Sequence, residues 1–152
     1  MQSELKQGKP FVHAEEELFL SLVRTADILG RKVSDFLKEQ SLSMAQYNVL
    51  RILRGAGPEG LPCGEISTRM VTRDPDVTRL LDRLEQRKLV SRARDPGDRR
   101  VVSTRVTAEG LTLLQSLDQD MSKIHKQQFD FLGSAQMEEI LQQLTRIRER
   151  LE

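Results

Sequence analysis

Apolar residues recur every three or four positions in the first quarter of the chain. Between residues 11 and 40 they form one stripe, which predicts a long amphipathic helix. The members of this stripe are Leu18, Leu22, Val23, Ala26, Leu29, Val33, Phe36 and Leu37. A second helix is predicted from residue 44 to about residue 54, because Ser43 and Gln46 fit a capping box and a Gly/Pro-rich stretch follows.

Two further helices are predicted in the middle of the chain, separated by the short break TRDPD. The first, over residues 64–71, is short and buries Ile66 and Met70. The second covers residues 75–88, with Asp74 as its N-cap and a proline at its first position, where the missing N–H has no intrahelical partner in any case. A short helix, a tight turn and a second helix form a helix-turn-helix.

A β-hairpin is predicted after these helices. Its strands are residues 90–94 and 101–106, where β-branched residues alternate with polar ones, and Pro96-Gly97 marks the turn between them. The upstream stretch LPC at residues 61–63 is too short for more than a single bridge. The hairpin is therefore expected to form a two-stranded wing beside the helix-turn-helix.

The C-terminal third is predicted to form two more helices. Thr107 caps the first of these, and the second runs over residues 137–151 after an interruption near Gly133. Their apolar positions are Leu111, Leu114, Leu117, Met121 and Ile124 in the first, and Ile140, Leu141, Leu144, Ile147 and Leu151 in the second. The predicted fold is mostly α, with about six helices and a small β-hairpin wing: a winged helix-turn-helix plus a helical dimerisation region.

Composition excludes several classes of protein. No apolar run approaches the ~18 residues of a membrane span, and the N-terminus lacks an apolar core of signal-peptide type, so cytoplasmic residence is expected. Cys63 is the single cysteine, which excludes an internal disulfide framework. His13 and His125 have no neighbours at metal-ligand spacing, and no phosphate loop or nucleophile motif is present. We therefore expect neither an enzyme nor a metal or cofactor site.

Positive charge is concentrated in the middle of the chain. The whole chain has a net charge of only +1. Residues 69–105 hold eleven basic and six acidic residues, a net charge of +5, so the rest of the chain has a net charge of −4. Basic segments attract phosphate backbones because binding releases counterions. The alternative on charge alone is a solvated surface face.

The helix predicted over residues 75–88 has two distinct faces. Val77, Leu80, Leu81, Leu84 and the stem of Lys88 fall on one side when each residue turns 100°, and a polar face lies opposite, with Asp82 among its residues. Helix-turn-helix proteins insert the N-terminal end of such a helix into the major groove. The residues expected to contact base edges are Pro75, Asp76, Thr78 and Arg79, and those expected to contact phosphates are Arg69, Arg73 and Arg83. An ordinary surface helix is the alternative.

The hairpin tip, RDPGDRR, carries positive charge, with three arginines and two aspartates. We expect Arg99 or Arg100 to enter a minor groove beside the recognition helix, and Asp95 or Asp98 to pair with Arg94 or a neighbouring arginine so that the loop is held in place. The alternative is a mobile hairpin whose charge has no function.

Residues 66–110 resemble the winged helix of the MarR (multiple-antibiotic-resistance regulator) family, and the helix followed by the wing motif DPGDRR is the most specific part of the likeness. The resemblance extends to residues 43–53 and to the layout of the flanking helices. It matches Asp98 and Arg99 to the family's wing aspartate and arginine. It also implies that residues 1–42 and 108–152 form a dimer body and that residues 43–107 form the DNA-binding lobe.

The resemblance further implies a homodimeric repressor of a pseudo-palindromic operator, released by a small phenolic or lipophilic effector. It suggests an effector pocket near Leu22, Ala26, Tyr47 and Arg51. The family's hydroperoxide sensors carry a reactive cysteine in the first helix, whereas Cys63 precedes the predicted short helix and is expected to be a small buried residue. The apolar stripes at both chain ends independently favour a two-fold dimer. A winged helix that serves as a protein-interaction module without specific DNA binding remains the alternative.

Overall fold

The computed structural model describes residues 8–72, 76–94 and 102–151, together with residues 1, 4 and 6. Six α-helices and three short strands lie in this described part. The chain divides into two units, Met1–Gln119 and Asp120–Glu152. No helix in the described ranges combines the length and the apolar character needed to cross a bilayer.

The first unit begins with two helices, α1 (Ala14–Glu39) and α2 (Met44–Ala56). The capping box predicted for α2 is confirmed: the amide of Gln46 donates to Ser43 Oγ at 3.1 Å, and the amide of Ser43 donates to Gln46 Oε1 at 3.0 Å. Both helices start and end within a few residues of the prediction, because apolar periodicity and cap chemistry are local signals.

The helix-turn-helix consists of α3 (Cys63–Arg69) and α4 (Val77–Gln86). The start of α4 differs from the prediction, since Asp76 is the N-cap instead of Asp74. The predicted burial of Met70 is only partly met, because this residue follows the last turn of α3 and is half-buried.

The stretch LPC, predicted to form at most a one-bridge strand, contributes a strand with two bridges to the sheet of the wing. Strands β1 (Leu61–Pro62), β2 (Val90–Arg94) and β3 (Val102–Val106) form an antiparallel sheet in the order β1-β3-β2. The two residues of β1 pair with Thr104 and Ser103, after a 3₁₀ turn at Gly57–Glu59. The two strands of the predicted hairpin are confirmed, and they pair with Arg92 opposite Thr104. Strand β1 therefore joins the residues before α3 to the middle of β3.

Helix α5 (Ala108–Phe129) follows the wing. Thr107 caps it as predicted, since Thr107 Oγ1 accepts from the amide of Gly110 at 3.1 Å. The first unit's core consists of apolar residues that are 2% exposed or less, among them Leu37, Leu50, Leu53, Ile66, Leu81, Leu84, Leu114 and Leu117. The N-terminal half of α1 contributes little to this core, and Leu18, Phe19 and Val23 are exposed.

The second unit contains the end of α5 and helix α6 (Ser134–Leu151), which begins three residues earlier than predicted. None of the residues of α6 is buried. Its exposed apolar residues are Met137, Ile140, Leu141, Ile147 and Leu151. This helix therefore carries an apolar face that the unit itself does not cover.

Candidate DNA-binding interface

The turn between α3 and α4 is held by a side chain of α2. The amide of Val71 donates to Asn48 Oδ1 at 2.9 Å, so the chain leaving α3 is fixed to the scaffold before α4 begins. A hydrogen bond from a rigid helix restricts where the next helix starts. Arg73, Asp74 and Pro75 lie outside the described residues, so the predictions for Arg73 and Pro75 stay predictions.

The first turn of α4 is organised by Asp76. Its Oδ1 accepts from the amide of Arg79 at 3.1 Å, and its Oδ2 lies 3.0 Å from Arg79 Nε. The cap is Asp76 because its carboxylate reaches a free amide of the first turn, where negative charge is also favoured by the helix dipole. Asp76 therefore caps the helix and orients Arg79, in addition to any contact with a base.

Helix α4 presents a buried face and an exposed face. Val77, Leu80, Leu81 and Leu84 are buried, as their spacing predicts. Lys88 does not continue this stripe: it lies beyond the last turn, is exposed, and has a φ of 58°. The helix ends before Lys88 because the chain turns into the left-handed region there.

The exposed face of α4 carries predicted DNA-contacting residues. Thr78, Arg79 and Arg83 are exposed, and the side chain of Arg79 is 78% accessible. Arg83 forms no ion pair with any described residue, whereas Arg69 at the end of α3 pairs with Glu65 at 3.0 Å. These exposed cations remain accessible to an anion, since surface ion pairs such as Arg79–Asp76 and Arg69–Glu65 are weak and exchange with solvent.

Cys63 differs from its prediction. It is the first residue of α3 and only partly buried, and its Sγ lies 3.9 Å from Thr78 Oγ1. It is therefore not the small buried residue that was predicted, and it lies where the N-terminus of α3 meets the start of α4.

The wing is joined to α4 by an arginine that the sequence interpretation missed. The guanidinium of Arg92 on β2 binds the carboxylates of Asp82 and Glu85, and its backbone amide donates to Glu85 Oε1 at 3.2 Å. Asp82 therefore pairs with the wing, and its side chain remains 48% exposed. A signal was available: Arg92 is two residues from the buried Val90, so alternation directs it toward the helix, where a charge requires a partner.

The described part of the wing consists of the strands β2 and β3. Arg94 is exposed at the end of β2, opposite Val102. The predicted wing residues Asp98, Arg99 and Arg100 lie outside the described residues.

The residues predicted to line an effector pocket lie on α1 and α2. Leu22 is half-buried and Ala26 is exposed, one turn further along α1. Tyr47 is buried, and the guanidinium of Arg51 lies 5.9 Å from its ring centroid, within cation–π range. Burial raises the pKa of Tyr47, while the charge of Arg51 lowers it. Tyr47 and Arg51 therefore form one unit with an apolar and a cationic part.

Neither histidine belongs to a metal site among the described residues, where no group of three or more potential ligands is found. His13 precedes the first residue of α1 and is exposed, and Nδ1 of His125 lies 3.3 Å from Gln128 Oε1.

Comparison with known proteins gives consistent results. The MarR family model matches residues 42–102. An HTH-type transcriptional regulator of Bacillus subtilis, YsmB, is 31% identical over 110 residues, which cover 72% of this chain and 73% of the relative. A MarR transcription factor from Planctomyces limnophilus has a crystal structure with a TM-score of 0.68 and 36% identity, covering 92% of this chain and 98% of that one.

A third similar protein is Bordetella bronchiseptica BpsR, solved to explain how 6-hydroxynicotinic acid regulates its DNA binding. It has a TM-score of 0.80 at 24% identity and covers 92% of this chain and 98% of its own. At this identity the likeness concerns the fold.

Proposed function

Since the chain belongs to the MarR family of transcriptional regulators, we propose that it acts as a homodimeric repressor that binds a pseudo-palindromic operator and is released by a small-molecule effector. The observation that carries the proposal is the exposed polar face of α4, with Thr78, Arg79 and Arg83 side by side, on a helix tied to the wing through Arg92. Residues 43–107 form the DNA-binding lobe in this proposal, and residues 1–42 and 108–152 contribute to the dimer.

In the proposed complex, α4 enters the major groove with its N-terminal end first. Arg79 donates to guanine O6 and N7, Thr78 contacts a thymine methyl or a phosphate, and Asp76 and Pro75 lie beside them at the base edges. Arg69, Arg73 and Arg83 contact backbone phosphates and set the register of the helix.

The wing contacts the adjacent minor groove. Arg99 and Arg100 enter the groove, Asp98 holds the loop, and Arg94 lies at its base. The attachment of β2 to α4 through Arg92 supports this assignment, because it makes the helix and the wing one body.

The dimer buries apolar residues that the single chain leaves exposed. Such residues are found on α1 (Leu18, Phe19, Val23) and on α6 (Ile140, Leu141). A two-fold dimer covers each face with a partner's surface and presents two α4 helices to a two-fold operator. Sedimentation velocity of Leu141→Lys should show dissociation, with the equally charged Gln143→Lys as the control. An unchanged dimer for Leu141→Lys contradicts the role of this face.

The effector binds beside α1 and α2, at Leu22, Ala26, Tyr47 and Arg51. The combination of a buried tyrosine with an arginine 5.9 Å from its ring suits an aromatic acid or a phenol, because such a ligand offers both a flat apolar body and an anionic or polar group. The regulation of BpsR by 6-hydroxynicotinic acid supports an effector of this class. A thermal-shift screen of aromatic acids and phenols tests it, with Arg51→Met expected to abolish the shift.

Sequence-specific binding is tested by gel shift against the promoter DNA upstream of the protein's own gene and against a scrambled duplex of equal length. We expect the promoter fragment to be retained in excess competitor, and log affinity to fall linearly with log salt by about 0.9 for each phosphate contacted. Arg99→Ala should weaken binding to all duplexes evenly. Equal affinity for both duplexes, or none for either, would favour a protein-interaction module instead.

A further inference from the structure

Helix α1 ends in a turn that uses a serine where glycine is usual. The amide of Leu42 donates to the carbonyl of Leu37 at 3.0 Å, and the amide of Ser41 donates to that of Lys38 at 2.9 Å. Ser41 has a φ of 54°. These are the two hydrogen bonds of a Schellman motif, which satisfies carbonyls of the last helical turn but leaves the carbonyls of Gln40 and Ser41 pointing onward.

Helix α4 ends in the same way, with a lysine in the left-handed position. The amide of Leu89 donates to the carbonyl of Leu84 at 3.0 Å, and the amide of Lys88 donates to that of Glu85 at 2.8 Å. Lys88 has a φ of 58°. Leu84 and Leu89 are buried, as are Leu37 and Leu42 in the first motif. Both helix ends are therefore anchored in the core of the first unit.

Arg87 connects these two helix ends. It is the C-cap residue of α4, and its Nη1 donates to the carbonyl of Ser41 at 2.6 Å while its Nη2 donates to that of Gln40 at 3.2 Å. Both acceptors lie at the negative end of the α1 dipole, so the hydrogen bonds are charge-assisted. A planar guanidinium that bonds two neighbouring carbonyls fixes orientation as well as distance.

We propose that Arg87 is a positioning residue that fixes the orientation of α4 relative to α1, and thereby sets the half-site spacing that the dimer accepts. The inference rests on the proposed function, in which α1 belongs to the dimer body and α4 enters the major groove. A rotation of α4 about its buried C-terminal end displaces its N-terminal end most, and this is the end that carries Thr78 and Arg79. A small change at Arg87 therefore becomes a larger change at the DNA.

The test measures spacing preference, which a purely stabilising residue does not alter. Wild-type protein first selects its operator from a random duplex pool, and duplexes with one base pair added or removed between the half-sites are then compared by gel shift. One base pair rotates a half-site by about 34°, so the wild type should lose about tenfold or more in affinity for either altered duplex. Arg87→Met, which keeps the apolar stem but has no donors, should lose about threefold or less.

Two further variants control the comparison. Arg87→Lys keeps a charged donor but loses the planar pair of donors, so it should restore the spacing preference only in part. Lys38→Met removes a positive charge from the same end of α1, where it pairs only with Asp35 among the described residues, and should behave as the wild type. If circular dichroism shows that Arg87→Met is unfolded, Arg87→Gln is measured in its place with the same expectation.

The outcomes separate this inference from the proposed function. Wild-type spacing preference in Arg87→Met or Arg87→Gln, even with a lower melting temperature, overturns the inference and leaves the proposed function intact. Failure of the wild type to select any sequence with two half-sites overturns both.

Discussion

The guanidinium of Arg92 in β2 binds the carboxylate of Asp82 in α4, so the wing and the helix proposed to contact bases are joined directly. Glu85 completes the attachment by accepting from the backbone amide of the same arginine. The strands of the wing are therefore held against the helix before DNA is bound, which reduces the ordering that binding requires.

Breaking the contact of Arg92 with Asp82 should lower the affinity for the operator more than it lowers the free energy of unfolding. We expect Arg92→Met to lower operator affinity roughly tenfold, because the wing must then be ordered on binding. A double-mutant cycle with Asp82→Asn should give a coupling free energy of about 1 kcal/mol in chemical denaturation, as for other partly exposed ion pairs. Independent effects of the two substitutions on both stability and affinity would contradict a direct link.

Two arginines on α4 should respond differently to removal. Arg79→Ala should relax the sequence preference at one base pair of each half-site, a loss of roughly 1–3 kcal/mol of discrimination, because Arg79 is held by Asp76 at the N-terminal end. Arg83→Ala should weaken binding to all sequences evenly and reduce the salt slope by about 0.9 per site. Selection from a random duplex pool and a salt titration distinguish the two. The assignment is wrong if both variants keep the wild-type preference and slope.

Gly60 is required by the close approach of β3. It has a φ of 71°, and a Cβ at this position would overlap the carbonyl oxygen of Thr104. Gly60→Ala should therefore lower the free energy of unfolding by about 2 kcal/mol or more. Gly64→Ala is the matched control, since outside its own stretch of helix no described atom lies within 4 Å of its Cβ position, and alanine favours a helix over glycine by about 1 kcal/mol. Urea denaturation should show opposite signs for the two variants.

Lys88 should be replaceable by glycine with no loss of stability. A left-handed backbone costs about 1–2 kcal/mol for a residue with a Cβ, and glycine removes this strain. Glycine also raises the conformational entropy of the unfolded chain, but this costs somewhat less stability than the strain that is removed. Lys88→Gly should thus change the free energy of unfolding by about 0 to +1 kcal/mol. Lys123→Gly, inside α5, should lose about 1 kcal/mol. A loss for Lys88→Gly as large as for the α5 control would contradict the strain at this turn.

Tyr47 should ionise only at high pH. Burial raises its pKa above the ordinary value of about 10, so the neutral hydroxyl stabilises the folded chain below that pH and the stabilisation is lost as pH rises further. Because Tyr47 is the only tyrosine and the chain has no tryptophan, tyrosinate absorbance reports this residue alone. Arg51→Met should raise the midpoint further, since the charge of Arg51 lowers the pKa. A midpoint equal to that of the urea-unfolded chain would show that the ring is not buried.

The sequence predicted which helix carries the candidate interface, but it did not predict the contacts that hold this helix in place. The buried stripe of Val77, Leu80, Leu81 and Leu84 and the exposed Arg79 follow from helical periodicity. The cap was predicted at Asp74 and is Asp76, because both are good N-cap residues and the choice depends on where the preceding turn is held by Asn48 of α2. The pairing of Arg92 with Asp82 was likewise missed, since it depends on how β2 lies against α4.

Local patterns in the chain by themselves determined the order and approximate bounds of the six helices, the capping box at Ser43, the hairpin and the basic middle segment, because periodicity and caps act between residues a few positions apart. The tertiary structure alone decided that β1 joins the sheet beside β3 and that Arg87 binds the end of α1, because these contacts join residues more than 40 positions apart. Such contacts depend on how the elements pack around one core, and packing brings together residues whose spacing in the chain carries no signal of the contact.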